Sequence, residues 1–356
     1  MADGSPGGAT TLIFDMLNHF QNHLKFSCSV ITESNSYAFR LCKKLGVNVK
    51  GLNFFYSRLN LKTAYLLHKE VISNAPDLIH VHGGRAAFFL SLFSRKTPTV
   101  YTVHGLHGLY SKSRCFRMLT RLAEKKSMKS FSQTVFVSKT EKSLAEKEKC
   151  IDPFHQKSRV ILNGISSQKF PKANPCLKRL GFIGRFCEQK DPVFVIEVLR
   201  ILASKGFSLI MIGGGSLEHL VRSKICTYGL EKTVLIKGAI SRSEALSALS
   251  QVEMLLMPSL WEGLSIALIE AMAMGVPVIA SKIPSIQEVI QHGETGVLVS
   301  EKNPNHYAEA ILNLYSQPKK KEKIIQQAQK HIGTHFMWSK YIDDHKKLYE
   351  ELVESK

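Results

Sequence analysis

No stretch of this sequence reaches the ~20 consecutive apolar residues that a membrane-crossing helix requires. The nearest, residues 264–280, is broken by Glu270 and Pro277. The opening Met1-Ala2-Asp3-Gly4-Ser5-Pro6 is polar and carries an acid, unlike a secretory leader. A soluble, cytoplasmic protein is therefore expected. Cysteine is sparse: seven residues, an odd count, scattered with no C-x-x-C pair. That excludes a disulfide framework and argues against a zinc site, so reduced thiols are expected and no metal. Low-complexity tracts and short-period repeats are absent. So are a recognisable nucleic-acid-binding motif and a strip of aromatics interleaved with bases.

What remains is globular in composition, with 44% apolar and 22% charged residues in a chain of 356. That length suits two domains. The net charge of +19 is unevenly spread. Residues 1–173 hold 26 Lys and Arg against 10 Asp and Glu, while residues 174–356 hold 22 against 19. A basic first half suggests an anionic partner: nucleic acid, an acidic lipid surface or a phosphorylated substrate. Solubility alone rarely needs so lopsided a split.

Short apolar runs alternate with helical stretches, the pattern of parallel sheets covered by helices. In the first half the strand candidates are residues 28–32, 77–82, 99–103 and 134–137, with helices over 10–23 and 63–74. A second series reads 179–183, 208–212, 233–236, 254–257 and 277–280. Residues 168–175, with two prolines, read as an interdomain linker. The expected division is 1–173 and 174–336, with the terminal helix 337–356 completing the first domain. The fold class is α/β, two doubly wound Rossmann-like domains facing a central cleft. In such sheets ligands lie beyond the carboxyl ends of the strands. Lys319-Lys320-Lys321 reads as solvated surface.

Three loops of the second half carry candidate chemistry. Glu262 would sit in a strand-to-helix loop, with Glu270 a little over two turns into the helix, on the same side. Amides from Gly263 to Ser265, at that helix N-terminus, would favour an anion. Taken alone, the pair reads better as a surface glutamate and a helix glutamate paired with a lysine. Gly184-Arg185-Phe186-Cys187-Glu188-Gln189-Lys190-Asp191 follows the first strand, and a guanidinium with an ammonium suits a diphosphate. Gly213-Gly214-Gly215 would let backbone approach a ligand closely. No G-x-G-x-x-G opening a helix is present, so a dinucleotide fingerprint fails.

In this order the segments G-R-F-x-E-Q-K-D, I-G-G-G-S-L and E-G-L-S-I-A-L-I-E-A-M-A-x-G-x-P-V-I-A resemble the second domain of retaining glycosyltransferases of family 4, with the GT-B fold. The last contains that family's E-x7-E signature, and the resemblance is close over most of residues 180–315. It implies a metal-independent, retaining hexosyltransferase that uses a nucleotide-sugar donor, UDP-linked by family frequency, as co-substrate. It implies that Arg185 and Lys190 neutralise the donor diphosphate and that Glu270 holds the ribose hydroxyls. Glu262 would hold the donor sugar, with Gly263, Leu264 and Ser265 nearby. Gly184, Gly213 and Gly214 would line the donor site, and Lys237-Gly238 would face the base.

The first half is more loosely similar. Ile79-His80-Val81-His82 resembles the family's D-x-x-H-x-H loop. Tyr101-Thr102-Val103-His104-Gly105-Leu106-His107 resembles the T-x-H-G-x-H segment of members that extend lipid-linked sugars for surface polysaccharides. His104 would then face donor sugar or acceptor, although a strand-end histidine is more often structural. Gly7-Gly8 matches a loop near the donor phosphates, but only six residues precede it where relatives carry a full strand. That strand is expected to be missing. Residues 336–352 resemble the final helix that returns to the first domain.

Between Tyr110 and Gln133 lie Lys112, Arg114, Arg117, Arg121, Lys125, Lys126 and Lys129 against one acid, Glu124. Phe116, Leu119, Leu122 and Met128 interleave. Such a helix can lie on anionic lipid, or can be an ordinary surface helix whose apolar side packs on the sheet. The reading is a peripheral enzyme on the inner face of the cytoplasmic membrane, acting on a lipid-linked saccharide acceptor. The alternatives are a catalytically impaired GT-B scaffold and a basic nucleic-acid-binding protein. No nucleic-acid partner is expected.

Overall fold

Runs of β-branched and aliphatic side chains, each followed by residues at helical spacing, fold in the computed structural model into alternating strands and helices. The structure describes residues 1, 4–24, 26–56, 60–152, 157–165 and 170–355. They divide into two units, Met1–Gly164 with Ser339–Lys356, and Ile165–Trp338.

Unit 1 runs α1 (Gly8–His23), β1 (Ser29–Glu33), α2 (Tyr37–Lys44), β2 (Asn48–Leu52), α3 (Leu61–Asn74), β3 (Ile79–His82), α4 (Gly84–Ser91), β4 (Thr99–Val103), α5 (Arg114–Ser130), β5 (Gln133–Phe136), α6 (Lys139–Lys147) and β6 (Ser158–Val160). Its described strands pair in parallel, as β1-β2 and as β3-β4-β5-β6. No described strand joins β1 to β3, and the amine of Met1 donates to the Ile31 carbonyl of β1 at 2.9 Å. The main core of the unit gathers Leu67, Phe89, Leu90, Tyr101, Phe131 and Phe136.

Unit 2 runs β7 (Arg179–Ile183), α7 (Pro192–Leu202), β8 (Ser208–Ile212), α8 (Glu218–Thr227), β9 (Val234–Gly238), α9 (Arg242–Leu249), β10 (Met254–Met257), α10 (Ile266–Met274), β11 (Val278–Ser281), α11 (Pro284–Gln287), β12 (Val297–Val299), α12 (Pro304–Tyr315) and α13 (Pro318–His335). The strand order is β12-β11-β10-β7-β8-β9, all parallel. From β7 the chain winds outward to β9, then crosses back so that β10 pairs with the other side of β7. The connections diverge there, which opens a crevice beyond the carboxyl ends of β7 and β10. Strand runs such as Leu255-Leu256-Met257 are apolar without alternation because helices cover both faces.

The last helix, α14 (Trp338–Glu354), belongs to unit 1 from Ser339 onward. Its buried face is Tyr341, Ile342, His345, Leu348 and Tyr349. The Tyr341 hydroxyl donates to the Met16 sulfur at 3.4 Å, and the Phe20 and Tyr349 rings lie 5.3 Å apart.

The division falls at 164/165 and 338/339, against the expected 173/174 and 336/337. Residues 168 and 169 of the expected linker lie outside the described residues. Asn174 and Cys176 donate backbone hydrogen bonds to Ser250 and Gln251 of unit 2, so that stretch is tied to the connection between α9 and β10. Lys321 is not solvated: it pairs with the buried Glu253. None of the seven cysteines forms a disulfide.

Candidate active site

The β7 and β10 loops are laced together beside the crevice. Glu262, in the β10–α10 loop, is buried, with its side chain only 6% exposed. Its Oε1 accepts from Ser259 Oγ at 2.6 Å and pairs with the Lys190 ammonium. Its Oε2 accepts from Gln189 Nε2 at 3.3 Å. Gln189 also donates to the Trp261 carbonyl at 3.0 Å, and its own carbonyl accepts from the Leu260 amide at 2.8 Å. A buried carboxylate needs such a full set of donors to offset its desolvation. Lys190 has three N–H donors and gives one to Glu262. Arg185 is exposed and reaches Gln189 Oε1 at 3.4 Å.

The glycines have a more definite task than the sequence suggested. Gly213 adopts φ 131°, and a Cβ there would lie 2.0 Å from the Gly184 carbonyl oxygen. At Gly215, φ 153°, a Cβ would lie 2.6 Å from the Phe186 carbonyl oxygen. The Gly184 amide donates to Ile212 at 3.0 Å, Phe186 to Gly214 at 2.9 Å, and Gly213 to Gly238 at 2.9 Å. Gly213 and Gly215 are thus required by loop-on-loop contact before any ligand is considered. Lys237, beside Gly238 at the end of β9, is exposed.

Helix α10 starts at Ile266 with Ser265 as its N-cap, without a side-chain cap. Gly263, Leu264 and Ser265 are buried. Glu270 lies on the first turns of α10. Its Oε1 accepts from both Nε and Nη2 of Arg242, at 3.0 and 2.7 Å. No sequence pattern marks Arg242, Ser259 or Gln189 for a role here. Gln189 stood inside the G-R-F-x-E-Q-K-D segment. For Arg242 the signal was only Ser241-x-x-Glu244, a capping box that fixes the helix start but not what the next side chain reaches.

Unit 1 brings its histidines together. His82 Nδ1 and His104 Nε2 are 3.0 Å apart, at the ends of neighbouring strands β3 and β4. His80 bonds Thr102 Oγ1 at 2.7 Å through Nε2 and the Tyr349 hydroxyl at 2.5 Å through Nδ1. Burial first, then neighbouring histidines, holds His80 and His82 well below the usual imidazole range. Burial, then His345 and His107, lowers His104 to about 4. At neutral pH His104 is therefore an uncharged hydrogen-bonding group. The loop behind it is held by Glu141, which accepts from the Leu106 amide at 2.8 Å. Gly7 is the N-cap of α1 and is exposed, and a Cβ there would meet nothing within 4 Å. Gly8 is the first residue of that helix.

Helix α5 is exposed along its first half, including Phe116, Met118, Leu119 and Leu122. Arg114, Arg117, Arg121 and Lys125 are exposed beside them. Its single acid, Glu124, is buried and accepts from the Tyr101 hydroxyl at 2.9 Å. Burial lifts Glu124 to about 7. Met128, expected among the interleaved apolar residues, is fully buried. No helix is long and apolar enough to cross a membrane among the described residues. Among them, too, no three His, Cys, Asp or Glu side chains converge as metal ligands would.

Two Rossmann-like units, the second with its Gly-rich loops at a topological switch, are the layout of the GT-B fold. The "Glycosyltransferase Family 4" profile matches residues 6–169, and "Glycosyl transferases group 1" matches residues 167–331. The chain belongs to this family and is a glycosyltransferase. An uncharacterized glycosyltransferase of Methanocaldococcus jannaschii is 27% identical over 311 residues, 86% of this chain and 84% of the relative. The UDP-Gal:alpha-D-GlcNAc-diphosphoundecaprenol alpha-1,3-galactosyltransferase of Escherichia coli is 24% identical over 318 residues, 83% and 81% of the two chains. Among solved structures, Anabaena HepE in complex with UDP and glucose superposes with a TM-score of 0.85 at 19% identity, covering 98% of each chain.

Proposed function

We propose that this glycosyltransferase moves a hexose from a UDP-sugar to a lipid-linked saccharide acceptor at an anionic membrane surface, with retention and without a metal ion. The observation that carries the reading is the buried Lys190–Glu262 pair beside Arg185 at the β7–β10 switch. Arg185 and Lys190 neutralise the diphosphate, and Gly184, Gly213 and Gly214 line it. Glu270 takes the ribose hydroxyls, and Lys237-Gly238 face the base. Glu262, with Gly263, Leu264 and Ser265, holds the hexose.

In the reaction the bond from the anomeric carbon to the β-phosphate oxygen breaks. The bond to the acceptor oxygen forms on the same face, and the acceptor proton passes to the departing phosphate. The protein's share is charge stabilisation of the leaving group and positioning. The acid-free outer face of α5, with arginines beside Phe116, Leu119 and Leu122, supports attachment to anionic lipid. The E. coli relative, whose name specifies a diphosphoundecaprenol-linked sugar, supports the acceptor class.

Calorimetry with UDP, GDP and ADP, without metal, tests the donor side. UDP is expected to bind, and Arg185→Ala to weaken it at least about tenfold, the worth of a charged hydrogen bond. Failure of the folded protein to bind any nucleotide would sink the reading. The anomeric configuration of the product, read by NMR, tests retention.

A further inference from the structure

Arg242 joins two elements that follow different strands. Its backbone is fixed because α9 starts in a capping box: Ser241 Oγ accepts from the Glu244 amide, and the Glu244 carboxylate accepts from the Ser241 amide at 2.9 Å. From that start the side chain crosses to α10 and places Nε and Nη2 on one oxygen of Glu270. The Glu270 side chain is 8% exposed, the Arg242 side chain 35%. Two N–H groups of a rigid planar fork on a single oxygen fix the carboxylate's last torsion. They thereby fix where Oε2 points. A buried ion pair is weak support for stability, and fixing one arrangement is a better-attested use of it.

We propose that Arg242 is a positioning residue for nucleotide recognition: it sets the Glu270 carboxylate to accept the ribose hydroxyls, so discrimination for the ribose depends on a residue that does not touch it. The proposal rests on the reading of Glu270 as the ribose ligand. A lysine in its place would keep the charge but lose the fork.

The test is calorimetry of UDP and 2′-deoxy-UDP with wild type, Arg242→Ala, Arg242→Lys and Glu270→Gln. Wild type is expected to prefer UDP by about tenfold or more, the scale of one hydrogen bond to a charged group. Glu270→Gln is expected to erase most of that preference. Arg242→Ala is expected to do the same while binding 2′-deoxy-UDP as wild type does, which also shows that it is folded. Should Arg242→Ala not fold, Arg242→Lys carries the same expectation. Equal weakening of both nucleotides by the Arg242 variants overturns the proposal, as does tighter UDP binding, which would make Arg242 a competitor of the ribose. If Glu270→Gln keeps the wild-type preference, the reading of Glu270 fails and the proposal with it. If Glu270→Gln erases the preference and the Arg242 variants keep it, only the proposal fails.

Discussion

Lys190 and Glu262 form an ion pair across 72 residues of sequence, with 14% and 6% of their side chains exposed. Lys190→Ala would leave the Glu262 carboxylate buried against Ser259 and Gln189 alone. The expected cost is ~3 kcal/mol of unfolding free energy, because an unpaired buried charge is the expensive state. Adding Glu262→Gln should recover most of the stability and none of the UDP binding. Urea unfolding and calorimetry on both variants check this.

His104 and His345 are held down to about 4 by burial, against an unperturbed 6.5. The unfolded chain therefore binds protons between those values that the folded chain refuses. Their contribution to stability is complete above about pH 6.5 and is lost as pH falls toward 4. Acid should destabilise unit 1 over that window, and His345→Phe should flatten the slope. Urea midpoints at pH 7 and pH 5 decide it.

Glu124 works in the opposite sense. Burial raises it from 4.5 to about 7, so the folded state holds its proton more tightly. Its contribution is full below about pH 4.5 and is lost as pH rises through 7. Glu124→Gln keeps an acceptor for the Tyr101 hydroxyl without a charge. It should raise the melting temperature at pH 8 more than at pH 5.5.

Gly213→Ala and Gly7→Ala should separate packing from recognition. At Gly213 the added carbon meets the Gly184 carbonyl at 2.0 Å, and about 2 kcal/mol or more of destabilisation is expected. At Gly7 nothing lies within 4 Å, so only the cost of a poorer N-cap, below about 1 kcal/mol, is expected in thermal melts. Any loss of transfer by Gly7→Ala then reports on substrate.

The exposed arginines of α5 are expected to hold the enzyme on anionic vesicles. Reversing Arg114, Arg117 and Arg121 to Glu should cost at least about 1 kcal/mol per site, and binding should fall with added salt. Leu119→Ser should weaken binding with less salt dependence. Sedimentation with phosphatidylserine vesicles, against phosphatidylcholine alone, is the measurement.

What the sequence by itself determined is what depends on neighbours along the chain. The runs at 99–103, 179–183, 208–212 and 254–257 became strands with those bounds. The glycines, Arg185, Lys190, Glu262 and Glu270 stood in an order that named a family. Strand β2 was illegible, because Asn48, Lys50 and Gly51 are poor strand formers and become one only by pairing in register with β1. Strands β6 and β12, three residues each, likewise owe their existence to β5 and β11. Only the tertiary structure decided the partners: Lys190 with Glu262, Arg242 with Glu270, His82 with His104. Each joins residues at or beyond the ends of different strands, and strand order is settled by the burial of whole sheet faces. A side chain's neighbours along the chain carry no record of that choice.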